Sequence, residues 1–284
     1  MTHTEIDCFA PAKLNLFLHV VGRREDGYHR LQTLFRFLDH GDRIRLVLRL
    51  DADIRLLNPL PGVPPEQDLC QRAAALLQAE TGCRMGVDIR LDKRLPLGGG
   101  LGGGSSNAAS VLLGLNRLWR LGLDRPTLQA LGLRLGADVP VFVFGRSAFA
   151  EGVGEILRPA HIDPASYVVL IPPVHVSTPE IFRSPALTRD TPEIKIAPLS
   201  DISFETGFGH NDLQPVVTAA HPPVKAALDW LNRFGEARMT GSGACVFAGF
   251  ANREQAERVF ARRPRGIGGF VADGIDRHPM FDFV

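Results

Sequence analysis

The sequence predicts an α+β protein in two domains, on three observations. Its 284 residues exceed what one ordinary core organises and suit one large domain or two medium ones. Stretches that alternate apolar and polar residues are interleaved with Ala- and Leu-rich stretches of helical character. Composition shifts near residue 160, and prolines punctuate the chain from Pro159 to Pro198. The expected domains are therefore residues 1–160 and 161–284.

Each element follows from local pattern. In residues 12–20, Leu14, Leu16, Leu18 and Val20 alternate with Lys13, Asn15, Phe17 and His19. This predicts a strand with one apolar face and places Lys13 and Asn15 together on the other. Asp26-Gly27 marks a turn, and residues 44–50 read as a second strand. Residues 67–80 predict a helix that Gly82 ends. Residues 87–95 alternate again and lead into a glycine loop at 98–104. Ser105 or Ser106 is expected to cap the next helix, which runs through Trp119 towards Gly122. Asp124-Arg-Pro-Thr opens another helix to about Leu135, and residues 141–144 read as a short buried strand. The second half predicts a strand at 167–171, a helix at 224–233, a strand at 244–250, a helix at 253–262 and a strand near 269–272. That order predicts helices laid over one antiparallel sheet.

Composition excludes several function classes. A formal charge of +1 supplies no field to gather nucleic acid or an anionic membrane surface. The cysteines at 8, 70, 83 and 245 form no C-x-x-C pair, which argues against a zinc site or redox dithiol. No apolar run approaches the ~20 residues of a membrane span. The first residues show no basic segment followed by an apolar one, so a cytoplasmic protein in a reducing compartment is expected.

The glycine loop carries the chemistry. Six of the seven residues from Gly98 to Gly104 are glycine. So many glycines cost conformational entropy, and a folded protein keeps them where backbone bends sharply or approaches a ligand. Placed between a strand and a helix, they form an anion cradle of amide N–H groups and a helix N-terminus, suited to phosphate. A flexible linker is the bland alternative, but this loop does not separate domains. A dinucleotide fold would need an acidic residue ~20 positions on; the candidate, Asp124, reads as a helix cap. The Gly-Lys-Ser/Thr of a P-loop and the protein-kinase motifs are missing from the sequence.

Pro96 followed by Gly-Leu-Gly and Ser105-Ser106 resembles the phosphate loop of the GHMP kinases, which include galactokinase, homoserine kinase and mevalonate kinase. Residues 11–15 (Pro-Ala-Lys-Leu-Asn) resemble that family's N-terminal motif, and residues 239–245 (Met-Thr-Gly-Ser-Gly-Ala-Cys) its C-terminal glycine motif. Residues 100–109, 136–140 (Gly-Ala-Asp-Val-Pro) and 26–29 (Asp-Gly-Tyr-His) together resemble the branch whose acceptor is the cytidine diphosphate ester of methylerythritol. The resemblance implies a ribosomal protein S5 domain 2-like N-terminal domain and a ferredoxin-like C-terminal domain. It implies that ATP, with Mg2+, phosphorylates the acceptor's tertiary 2-hydroxyl in the non-mevalonate route to isoprenoids. One departure stands out: Asp68-Leu69 replaces the family's Asn-Leu near the nucleotide base.

Residue roles follow from the resemblance. Lys13, otherwise a solvated strand lysine, would pair with Asp138, otherwise a turn residue. Lys13 would polarise the acceptor hydroxyl, and Asp138 would take its proton or orient it. Pro96, Gly98, Gly99, Gly100, Leu101, Gly102, Gly103, Gly104, Ser105 and Ser106 would cradle the phosphates, with a serine hydroxyl and water on the magnesium. Lys93 either flanks the nucleotide or is a solvated lysine. Tyr28 and His29 would stack on and hydrogen-bond a cytosine. Thr178 opens a Thr-Pro turn that leads to Phe182, an aromatic for the base or for the core. Asn15 would bind the acceptor's polar tail or stabilise a turn. A nucleotide-dependent oxidoreductase is disfavoured by the missing ribose acid. A non-catalytic nucleotide-binding module would have lost Lys13 or Asp138.

Overall fold

The computed structural model describes residues 4–195, 202–203 and 207–284. Its spine is a long antiparallel hairpin of β1 (Glu5–Arg23) and β2 (His29–Arg49). The expected turn closes it: Gly27 has φ 89°, and Tyr28 N donates to Asp26 Oδ1 at 3.1 Å. β2 begins at His29 rather than at residue 44. Its first half is buried on both faces, from Gln32 to Leu38, so it lacks the alternation that marks a half-exposed strand. The same holds for β1, where Lys13, Leu14 and Asn15 are all buried. Register shifts between Pro11 and Lys13 and between Asn15 and Leu18 bend β1 around these residues.

β2 then organises the sheet. Its end pairs with β4 (Gly86–Asp92), which also holds β3 (Ile54–Leu56) in parallel. Its beginning pairs with β5 (Ala148–Glu151), which continues into β6 (Ile156–His161) and, in parallel, β8 (Ile202–Ser203). The β5–β6 hairpin has no sequence expectation behind it, and the expected domain boundary falls in β6. The middle of β2 pairs with β11 (Gly268–Ile275), which in turn pairs with β7 (Ser166–Ile171).

Helices α1 (Leu69–Thr81), α2 (Gly103–Leu118), α3 (Arg125–Leu135) and α4 (Val139–Phe144) cover the first half. Asp68 caps α1 through Cys70 N at 2.8 Å, and Gly82 ends it at φ 64°. Asp124 caps α3 through Thr127 N at 3.0 Å, as its sequence predicts. Two local expectations are corrected. α2 starts at Gly103 behind a left-handed Gly102, so Ser105 and Ser106 lie in its first turn and neither caps it. Residues 141–144 belong to α4, a helix and not a strand. A short apolar run carries no period that separates the two, and the Pro140 start and Gly145 stop decide for the helix.

The second half runs β7, α5 (Thr178–Arg183), α6 (Gln214–Ala220), α7 (Pro222–Leu231), β9 (Ala237–Met239), β10 (Val246–Phe250), α8 (Arg253–Phe260), β11. Its strands lie in the order β11-β7-β10-β9. This is the split βαβ arrangement of a ferredoxin-like unit, with two small helices, α5 and α6, added before α7. Each half has its own core. Leu46, Leu77, Leu112 and Phe142 belong to the first, and Val168, Leu170, Leu228 and Val246 to the second. The chain end crosses back: Met280 is buried in the first core, and Arg125 Nη2 donates to Phe281 O at 2.6 Å.

The bulged hairpin leaves no room beside β1 at Gly41, where a Cβ would lie 2.1 Å from Ala10 O. Gly41→Ala should therefore lower stability by about 1–3 kcal/mol through forced backbone shifts. A urea titration should show an earlier midpoint at unchanged slope.

Candidate active site

The glycine loop, β1, the start of α4 and the second half enclose a cavity of about 460 Å³. The loop is built to bring backbone to this space. At Gly100, φ is 77° and an added Cβ would stand 2.1 Å from Thr240 O. At Gly102, φ is 70° and a Cβ would stand 3.0 Å from Lys13 Cε and from Phe142 Cζ. A side chain at either position would push the loop off its neighbours. Behind the loop the first turn of α2 presents amides that have no acceptor within the helix. The aligned peptide dipoles of this 16-residue helix favour an anion there.

Lys13 lies under the loop. Its backbone N donates to Leu101 O at 3.0 Å. Its Nζ is 3.2 Å from Asp138 Oδ2, donates to Asn15 Oδ1 at 2.6 Å and sits 5.4 Å from the Phe35 ring centre. Lys13 is 2% exposed, whereas the Asp138 side chain is 36% exposed at the start of α4. The structure thus joins a buried ammonium to a carboxylate that faces the cavity. Asn15 lines the cavity too, but its amide is committed: Oδ1 accepts from Lys13 and Nδ2 donates to Thr33 Oγ1 at 2.9 Å. Its side chain therefore orients Lys13.

Of the other expected residues, Pro96, the loop from Gly98 to Gly104, Ser105, Thr178 and Phe182 all line the cavity. Thr178 Oγ1 and Ser242 Oγ are 2.5 Å apart on its wall. Ser106 does not line it; the residue is fully buried in α2, and its Oγ has no hydrogen-bond partner among the described residues. Lys93 is neither solvated nor on the cavity wall. Its Nζ pairs with Asp42 at 2.5 Å, and Asp42 Oδ1 also accepts from Arg94 N and Leu95 N. That fully buried carboxylate anchors the strand that leads into the loop. Asp68, the departure from the family pattern, is spent on capping α1, a task that Asn and Asp perform equally well.

Tyr28 is 65% exposed at the hairpin turn and outside the cavity wall. His29 lies beyond Phe182, with ring centres 5.0 Å apart, and its Nε2 accepts from Arg189 Nε at 3.1 Å. Its pKa is lowered from the ordinary value, first by burial, then by the charges of Arg189 and Arg23. Three contributors escaped the sequence reading: Thr33, Thr240 and Arg189. Thr240 lies within the C-terminal glycine motif, yet nothing in the pattern singled out its hydroxyl. It accepts from Asn15 N at 3.0 Å and reaches Gly100 O at 3.2 Å, tying loop to strand.

A glycine loop over a cavity, a buried lysine paired with a cavity-facing aspartate and two α+β halves define a small-molecule kinase of one architecture. Residues 68–146 match the family description "GHMP kinases N terminal domain" and residues 196–265 match "GHMP kinases C terminal". The chain belongs to the GHMP kinase family. It is 62% identical over 275 residues to 4-diphosphocytidyl-2-C-methyl-D-erythritol kinase of Thiobacillus denitrificans (strain ATCC 25259 / T1), covering 97% of both chains. It is 58% identical over 286 residues to the enzyme of the same name from Nitrosospira multiformis (strain ATCC 25196 / NCIMB 11849 / C 71), covering 100% of this chain and 96% of the other. Among solved structures, a crystal structure of 4-(cytidine 5'-diphospho)-2C-methyl-D-erythritol kinase matches with a TM-score of 0.77 at 33% identity. It covers 95% of this chain and 99% of that one. Methanococcus jannaschii mevalonate kinase shares the fold, with a TM-score of 0.66 at 15% identity over 96% of this chain and 99% of its own. The two-domain architecture expected from the motifs is that of the family.

The contact between Gly100 and Thr240 yields a test. Gly100→Ala should displace the loop from both Thr240 and the cavity and lower kcat/KM for ATP by about 10²-fold. Steady-state kinetics across ATP concentrations reads the loss.

Proposed function

We propose that the chain phosphorylates the 2-hydroxyl of 4-diphosphocytidyl-2-C-methyl-D-erythritol with ATP, in the non-mevalonate route to isoprenoids. The observation that carries this reading is the Lys13–Asp138 pair, 3.2 Å apart beneath the glycine loop in one cavity. Relatives of 62% and 58% identity bear the name of that enzyme. No helix among the described residues is long and apolar enough to cross a membrane.

Phosphoryl transfer asks the protein for positioning and charge stabilisation. The loop amides from Gly98 to Gly104 and the first turn of α2 hold the β- and γ-phosphates. The acceptor hydroxyl lies against Asp138, which accepts its hydrogen bond. As the hydroxyl oxygen bonds to the γ-phosphorus, the bond from phosphorus to the bridging oxygen breaks and ADP leaves. The hydroxyl proton passes to the Asp138 carboxylate. Lys13, held by Asn15, places a fixed positive charge beside the oxygens where negative charge collects.

The cavity lining offers hard oxygens, among them the Ser105 hydroxyl and the Asp138 carboxylate. They suit Mg2+, which favours oxygen ligands and is commonly held largely by phosphates and water. Ser105, through its hydroxyl or a water, would hold the ion, and the ion would neutralise phosphate charge. For the acceptor's base, Phe182 supplies an aromatic face on the cavity wall, and Tyr28 and His29 supply the hairpin side. Thr178 lines the same cavity, paired with Ser242.

An ADP-release assay across this acceptor, mevalonate, homoserine and galactose tests the assignment. Activity confined to the cytidine compound supports it, and preference for another acceptor overturns it. Asp138→Asn should lower kcat by about 10²–10⁴-fold while circular dichroism and binding of an ATP analogue are retained. A uridine version of the acceptor should lose at least about 10²-fold in kcat/KM, because exchanging the 4-amino donor for a carbonyl inverts the hydrogen-bond pattern. Paired steady-state titrations measure the ratio.

A further inference from the structure

We propose that Arg189 is a positioning residue for base selection: it locks the His29 imidazole, neutral and with its proton on Nδ1, against Phe182. The inference rests on the reading that the acceptor's cytosine is recognised between the hairpin turn and Phe182.

The geometry comes from four hydrogen bonds of one guanidinium. Nη2 donates to Phe182 O at 3.0 Å and Ser184 O at 2.8 Å, and Nη1 to Leu187 O at 3.0 Å. Phe182 and Ser184 stand at the end of α5, where helix carbonyls lose their intrahelical donors. Three carbonyls of the second half therefore fix the plane and direction of the guanidinium. Its remaining edge points at the first residue of β2, in the other half of the molecule. There Nε donates to His29 Nε2 at 3.1 Å.

An arginine can only donate. His29 Nε2 must therefore be the acceptor, and the neutral ring carries its hydrogen on Nδ1. Among the described residues no hydrogen bond engages His29 Nδ1, so this N–H is the donor left for a ligand. The charged groups facing the ring are Arg189, from the loop after α5, and Arg23, paired with His29 across the hairpin. Both are cations and both oppose protonation of the ring, adding to the effect of burial. Phe182, packed on the ring at 5.0 Å, carries no charge. The result is a donor of one fixed sense. O2 accepts hydrogen bonds in both bases, but cytosine N3 accepts whereas uracil N3 donates, so a fixed N–H donor directed at N3 favours cytosine. An imidazole free to exchange tautomers would serve both bases. Arg189 also grips the backbone of Phe182, so one side chain sets the position of both aromatic groups.

The test combines spectroscopy with kinetics. Nitrogen-15 NMR of the wild-type protein should show His29 neutral with its hydrogen on Nδ1; the Nε2–H form there would overturn the proposal without any variant. In Arg189→Met, which keeps an apolar stem and removes the donors, the ring should shift towards the Nε2–H form and titrate at higher pH. KM for the cytidine acceptor should rise about tenfold, the worth of one hydrogen bond. KM for ATP and kcat should stay within about twofold, as expected for loss of uniform binding. Preference for cytidine over uridine should fall. A variant that loses ATP and acceptor affinity alike, or that keeps the wild-type tautomer and preference, overturns the role of Arg189. A wild-type enzyme with no preference for cytidine removes instead the reading of base recognition on which the role rests.

Discussion

The site depends on keeping one ammonium out of water. Lys13 is 2% exposed, and a buried charge without partners costs far more than a fold can bear. Its compensation comes from three directions. Asp138 approaches from the start of α4, Asn15 from two positions further along β1, and the Phe35 ring from β2. Each partner requires its own element to be in place. Lys13 and Asn15, two positions apart in a regular stretch of β1, share one side of the strand. α4 must end its short run at Gly145 and lodge Phe142 in the core, where its ring stacks on Phe37 at 5.4 Å. Gly102 then has to lack a side chain, because Lys13 and Phe142 occupy the space it would use.

The second constraint is that neither half fixes the glycine loop by itself. The loop belongs to the first half, but its Gly100 rests on Thr240 of the second, and Cys245 N donates to Gly99 O at 3.2 Å. Asn211 holds the Thr240 turn in shape through Met239 O and Gly241 O, each at 2.8 Å. β11 pairs with β2 on one side and β7 on the other, so the sheet itself carries the union. A cavity at such a seam can bind a nucleotide on one wall and an acceptor on the other, and the contacts that shape it also hold the halves together.

Much of this was legible in the chain because some functions demand unusual composition. Six glycines in seven residues have no cheap structural explanation, and their place between strand and helix points to phosphate. Lys13 and Asp138 were legible as a pair through the motifs around them, since 125 positions of sequence separate them. Elsewhere local pattern misled for physical reasons. β2 is covered on both faces and shows no alternation, so its first half went unread. The apolar run at residues 141–144 is too short for any period, and its capping residues made it a helix. Ser105 and Ser106 look like caps, but a left-handed glycine can start a helix one turn earlier.

The sequence by itself determined the kind of chemistry: a glycine-rich loop between strand and helix, a lysine and an aspartate in family motifs, and helices and strands in α+β order. These are set by residue types whose backbone freedom or charge acts locally. The tertiary structure decided which polar groups do which work. Asn15 serves Lys13, Lys93 serves Asp42, and Asp68 serves the start of α1. Thr33, Thr240 and Arg189, ordinary residues in the linear chain, became parts of the site. The physical reason is that a buried polar group must find partners wherever the fold brings them, and hydrogen-bond partners 18, 160 and 225 positions apart leave no mark on local pattern.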